Sequence, residues 1–180
     1  MEKPEVAFNI NYGQAAAIAE RNASRSICSA LDIKLIEIDI DCSSLGSGDL
    51  VVKPELSCAP ESDWWPYRNQ LLITLCAMKA IEVGCTEILM GTVSSDQYHA
   101  DGTEAFIKAI SDLLALQEGT ITVKSPALQL TSSELIKESG IPLELLAYAH
   151  SCHKSDIPCT NCRGCNKYYT TMRDIGFFNA

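Results

Sequence analysis

No stretch of the 180 residues is apolar for long enough to cross a bilayer, and the short apolar run from Val6 to Ile10 is followed by no small-residue cleavage site. Neither a membrane span nor a secretory leader is expected, which points to the cytoplasm. Cations are scarce and scattered: fourteen Lys and Arg stand against twenty-three Asp and Glu, a formal charge of −9. Such a surface repels phosphate backbones and anionic lipid, so with no basic stripe neither nucleic acid nor membrane is an expected partner. Internal repeats and low-complexity tracts are missing as well. A disulfide framework is also unexpected. The nine cysteines are odd in number, and Cys28, Cys42, Cys58, Cys76 and Cys85 stand singly, as small buried hydrophobes do in a reducing compartment.

What is present suffices for one well-filled core, since 47% of the residues are hydrophobic. Val6 to Ile10 reads as a strand, and Gln14 to Leu31 as a helix with Ala17, Ile18, Ile27 and Leu31 at helical spacing. Ile36 to Ile40 alternates strictly with Glu37 and Asp39, the period of a strand with one wet face. Residues 42–66 carry Ser, Gly and Pro without periodicity and form a long surface loop. A helix then starts at Asp63 to Pro66, shows Leu71, Leu72, Leu75, Met78 and Val83 on its apolar face, and stops at Gly84. Glu87 to Gly91 reads as a short buried strand, Thr103 to Leu116 as a helix and Thr120 to Ser125 as a strand. Thr131 and Glu134 have capping-box spacing ahead of a helix that ends at Gly140. Alternating helices and strands predict an α/β fold with a parallel sheet.

The sharpest motif is Cys152-x6-Cys159-x2-Cys162-x2-Cys165, four soft ligands with Pro158 and Gly164 placed to favour tight turns. Zinc suits it, because four thiolates close a tetrahedral shell and leave no open position for catalysis; its binding energy would fold the segment, which is expected to be disordered without metal. An iron–sulfur cluster uses the same ligands, and Cys162-Arg163-Gly164-Cys165 alone could be a redox pair; structural zinc is preferred.

With its flanks, the cluster resembles the C-terminal end of the 7-cyano-7-deazaguanine (preQ0) synthases of the PP-loop ATPase superfamily, where a Ser- or Thr-Cys pair precedes three closely spaced cysteines, as Ser151-Cys152 does here. The resemblance continues through Asn11-Tyr12-Gly13-Gln14, Pro66-Tyr67-Arg68-Asn69, Met90-Gly91 with Asp96, Tyr98 and Asp101, Leu130-Thr131 with Glu134, and Gly140-Ile141-Pro142-Leu143-Glu144, in the family's order over nearly the whole chain. It implies a Rossmann-like parallel sheet of the adenine nucleotide alpha hydrolase type. It also implies an ATP- and Mg2+-dependent ligase that turns 7-carboxy-7-deazaguanine and ammonia into preQ0, a queuosine precursor, through an acyl-adenylate. On this resemblance residues 1–148 form an incomplete PP-loop ATPase-like domain, and 149–180 a zinc-binding segment packed on it.

One family element has no counterpart, the strand and Ser-Gly-Gly-x-Asp-Ser loop that wraps ATP phosphates at a helix N-terminus. Ser47-Gly48-Asp49 is a poor substitute, having no helix pattern behind it. The expectation is that the strand and loop come from a partner chain or a second copy in a homodimer, or that the chain is truncated. The alternative is a catalytically inactive or repurposed relative that binds a partner protein or a deazapurine without ATP turnover.

Each candidate site residue has a plainer reading beside it. Arg68, at the start of a helix where the dipole disfavours a cation, suits a nearby anion or is simply solvated. Asn69 is a substrate partner by resemblance or a helix-surface amide. Asp96, Tyr98 and Asp101, just past a parallel strand, suit recognition of a guanine-like base or form turns. Tyr12, Gly13 and Gln14 could line an adenosine pocket or be a strand-to-helix turn. His99, His150 and His153 are expected to face solvent, and Trp64 and Trp65 to staple a helix to the core.

Overall fold

The structure, a computed structural model, describes residues 3–179. The elements run β1 (Val6–Asn11), α1 (Ala17–Ala30), β2 (Lys34–Asp39), α2 (Arg68–Glu82), β3 (Glu87–Leu89), α3 (Glu104–Ala115), β4 (Thr122–Lys124), α4 (Ser132–Ser139), α5 (Leu143–Leu146) and α6 (Arg163–Asp174). They fall into two compact units, one built from the residues up to Pro66 together with those from Ser139 onward, the other from Tyr67–Glu138. The fold is α/β, and both of its sheets are parallel pairs, β1 with β2 and β3 with β4. Among the described residues no helix is long and apolar enough to cross a membrane.

In the discontinuous unit, β1 and β2 run in register from Val6 opposite Lys34 to Asn11 opposite Asp39, with α1 as the crossover. Because side chains alternate along a strand, Asn9, Asn11, Glu37 and Asp39 share one face. Arg21 reaches Asp39 at 2.8 Å and Asn9 at 3.3 Å, Arg25 holds Glu37 with two contacts of 2.6 and 2.8 Å, and Asn9 donates to Ser24 at 3.1 Å. The face read as wet is therefore roofed by the arginines of α1. The same packing corrects the apolar stripe assigned to this helix: Ile18 is 66% exposed, and the buried helical side chain is Cys28.

The long loop contains two short 3-10 turns, Ser43–Leu45 and Gly48–Val51. Gly48 (φ +66°) lies so close to the chain that an added Cβ would sit 2.0 Å from the Ser62 carbonyl oxygen. Its neighbours are engaged too, with Ser47 Oγ donating to the Trp64 carbonyl and the Asp49 N–H to the Ser62 carbonyl. Ser47-Gly48-Asp49 thus closes the loop on itself. Trp65 is 4% exposed and meets the ring of Tyr12 edge-on, the core role read for it. Of the single cysteines Cys28 and Cys42 are buried, but Cys58 is exposed, which corrects its reading as a core residue.

In the continuous unit, α3 joins β3 to β4 and buries Ile107, Ile110 and Leu114 along one helical row. The Thr103 hydroxyl accepts the Phe106 N–H and starts this helix. On α2 the buried row is Ile73, Ala77 and Ala80, and Met78 is 66% exposed. Neighbouring positions differ by about 100° around a helix, so Met78 turns away once Ala77 faces inward. Only Ile88 of β3 is buried, and the strand stops at Leu89, shorter and more exposed than the sequence reading.

The expected capping box is present. The Thr131 N–H donates to Glu134 Oε2 at 2.8 Å, and the Glu134 N–H donates back to Thr131 Oγ1 at 3.2 Å. Replacing Thr131 with Ala should cost about 1 kcal/mol in denaturant unfolding. The Thr131 backbone N–H holds the Glu134 carboxyl below its ordinary value. Its contribution is therefore complete above the unfolded-state value and is lost as pH falls through the lowered one, so the difference between wild type and Glu134→Gln should shrink on acidification.

Candidate functional site

Cys152, Cys159, Cys162 and Cys165 converge, with all four sulfurs within 4.8 Å of one another. Cys152 to Cys162 and Cys159 to Cys165 are each 4.0 Å apart. A tetrahedral ion with bonds of about 2.3 Å sets its sulfurs about 3.8 Å apart, so the cluster fits one metal ion. The N–H groups of His153 and Cys165 point at Cys162 Sγ and that of Cys159 at Cys152 Sγ, each at 3.4 Å, and such donors favour thiolate. The Asn161 N–H pulls the Cys159 thiol down to about 6, whereas burial pushes Cys165 up to about 12. A cation among the sulfurs would offset that burial cost by pairing with the thiolate.

The sequence reading gave Gly164 a tight turn, but it lies in the first turn of α6, which starts inside the cluster with Cys162 as its N-cap. An added Cβ would come within 1.8 Å of the Ser151 carbonyl oxygen and 2.7 Å of the His153 ring. Glycine is needed because two backbone segments touch there.

Acidic residues of the long loop grip this segment. Lys154 reaches Asp49 at 3.2 Å, Arg163 reaches Glu61 at 3.0 Å, and His153 Nδ1 lies 3.4 Å from Asp63 Oδ2. The half-buried His153 therefore faces a carboxylate and not the solvent, and His150 Nε2 lies 2.9 Å from the Ser155 carbonyl oxygen. His99 likewise packs edge-on against Tyr98. Opposite charges in residues 49–63 and beside the cysteines were a signal for this docking.

Tyr12, Gly13 and Gln14 form the turn between β1 and α1. Gln14 Oε1 accepts the Tyr12 N–H at 2.8 Å, and its Nε2 donates to the Ile10 carbonyl and to Glu20 Oε2. The side chains of Tyr12 and Gln14 are buried and hold the turn together. The remaining candidates belong to the continuous unit. Arg68 and Asn69 open α2 behind Tyr67, whose φ is +57°. Asp96, Tyr98 and Asp101 follow β3 in two 3-10 turns; Asp96 accepts the Val93 N–H, and Tyr98 is 61% exposed.

Gly164→Ala should drive Ser151 and α6 apart, so metal bound per chain, measured by elemental analysis of the purified variant, should fall well below the wild-type value.

A family model described as "Queuosine biosynthesis protein QueC" matches residues 3–178. Among curated proteins, the chain is 27% identical to the 7-cyano-7-deazaguanine synthase of Campylobacter fetus, over 89% of this chain and 77% of that protein. It is 30% identical to the enzyme of that name from Aliarcobacter butzleri, over 88% and 76%. With the one from Methanocaldococcus jannaschii identity is 24%, over 88% and 79%. A match along almost the full chain, with four cysteines gathered where one metal ion would fit, places this protein in the QueC family of queuosine biosynthesis.

Proposed function

We propose that the chain works as an ATP-dependent ligase of deazaguanine metabolism, taking 7-carboxy-7-deazaguanine and ammonia to preQ0 with Mg2+-ATP. The observation that carries this reading is the family match over residues 3–178, in which relatives from bacteria and an archaeon bear the synthase name. Asp96, Tyr98 and Asp101 lie past the C-terminal end of a parallel strand, the usual place for ligands in open α/β sheets, and are assigned to the base. Arg68 and Asn69, at the N-terminus of α2, are assigned to the carboxylate, where the helix dipole adds to the cation. Tyr12, Gly13 and Gln14 are assigned to the adenosine side. The burial of Tyr12 and Gln14 favours a role in shaping the backbone there.

The metal is assigned as structural zinc held by Cys152, Cys159, Cys162 and Cys165. Four thiolates complete its shell, so its contribution is to hold the segment folded. The Rossmann-like sheet of the family requires a strand and phosphate loop for which the 180 residues hold no Ser-Gly-Gly-x-Asp-Ser segment. A partner chain, a second copy or a longer form of this chain is proposed to supply both. The protein is assigned to the cytoplasm.

Incubating the native assembly with 7-carboxy-7-deazaguanine, ammonium and Mg2+-ATP should yield preQ0 detectable by mass spectrometry. Arg68→Ala should lower kcat/KM by roughly 10- to 100-fold, the range for losing a charged hydrogen bond. Binding of the deazapurine with no ATP consumed, in an assembly shown to contain the phosphate loop, would instead favour a repurposed, non-catalytic relative.

A further inference from the structure

Helix α1 has no cap of its own. Ala16 stands at the N-cap position, with no side chain able to accept an N–H from the first turn. The Ala19 N–H donates at 2.8 Å to Asp156 Oδ1, which comes from the far end of the chain, between the first and second cysteines of the metal cluster. A carboxylate there also complements the positive end of the helix. Asp156 sits in a braced segment. His150 contacts the Ser155 carbonyl, the Ile157 N–H donates to Ser155 Oγ at 3.1 Å, and the cysteines on either side are drawn to one point. On the α1 side, Glu20 in the first helical turn accepts from Gln14, whose side chain in turn receives the Tyr12 N–H.

We infer that Asp156 is a positioning residue that ties the thiolate cluster to the start of α1, so that metal occupancy controls the order of the Tyr12-Gly13-Gln14 turn as well as that of the cysteine segment. The physical route is short. The converging cysteines set the path of residues 153–158, that path places the Asp156 carboxylate, and the carboxylate fixes the first turn of α1 to which Gln14 is bonded. This inference rests on metal binding by the four cysteines, but not on any catalytic assignment.

Residue-resolved amide exchange on the full chain tests it, with wild type, Asp156→Ala and Asp156→Asn compared as zinc-loaded proteins and wild type compared before and after chelation. Loss of a side-chain cap should speed exchange at Ala19 roughly fivefold in Asp156→Ala. Asp156→Asn keeps an acceptor oxygen and should stay within about twofold of wild type. Chelation should reproduce the change at Ala19 and extend it to Tyr12. Unchanged Ala19 exchange in Asp156→Ala, failure of Asn to restore it, or metal removal that leaves Ala19 and Tyr12 unaltered would each overturn the inference. A protein that binds no metal under any condition would defeat the metal assignment along with the coupling. Bound metal with indifferent Ala19 exchange would defeat the coupling alone.

Discussion

The convergence of four cysteine sulfurs is the constraint from which the discontinuous unit takes its form. That unit is assembled from two stretches of chain separated by all of Tyr67–Glu138, and closing so long an excursion costs conformational entropy, about 0.6 kcal/mol more for each doubling of its length. Four cysteines gathered within 4.8 Å of one another would offset that cost on taking up a metal, since a structural metal contributes on the order of 10 kcal/mol to ordering its ligands. Around it the contacts are polar and directional. Lys154, Arg163 and His153 meet Asp49, Glu61 and Asp63, and Asp156 meets α1. Half-buried ion pairs of this kind gain Coulomb energy but also cost desolvation, so one by one they add modestly to stability. Their effect is to choose one docking geometry for a segment that the cluster already holds.

Local rules account for the elements that the sequence made plain. Strict alternation from Ile36, the Thr131–Glu134 spacing and Gly84 after an apolar row are each decided within a few residues. The structure has β2 at Lys34–Asp39, a capping box and a helix end there. The four-cysteine spacing was similarly readable, since ligand type and separation suffice to bring the sulfurs together. What escaped depended on partners far along the chain. Gly164 looks like a turn former until the Ser151 carbonyl is seen against it, and His153 looks solvated until Asp63 arrives. Ile18 looks like a core residue, yet the face of the sheet that α1 covers is charged. Ala16 at the head of α1 offers no capping side chain, and the acceptor for the Ala19 N–H comes from Asp156, far along the chain.

The candidate site divides along the same line. Turn chemistry explains why Tyr12 and Gln14 are buried and mutually bonded, a role that family resemblance alone does not reveal. Asp96 is likewise engaged with the Val93 backbone, while Tyr98 presents its ring outward. A buried side chain can serve by fixing the backbone of a turn, and the polar network around Gln14 does so between β1 and α1. The chain belongs to the QueC family, and within each unit the local bonding separates residues tied into turns from those that face outward.

The interrupted build of the first unit also bears on biogenesis. The second unit is one uninterrupted segment, so it can acquire its native contacts while the ribosome is still translating the C-terminal part. The first can pair β1 with β2 under α1 early, but its contacts with the cysteine-bearing segment must wait until that segment emerges. For this polypeptide, the two parts of the discontinuous unit can meet only once the C-terminal segment, with the last of its cysteines, has been translated.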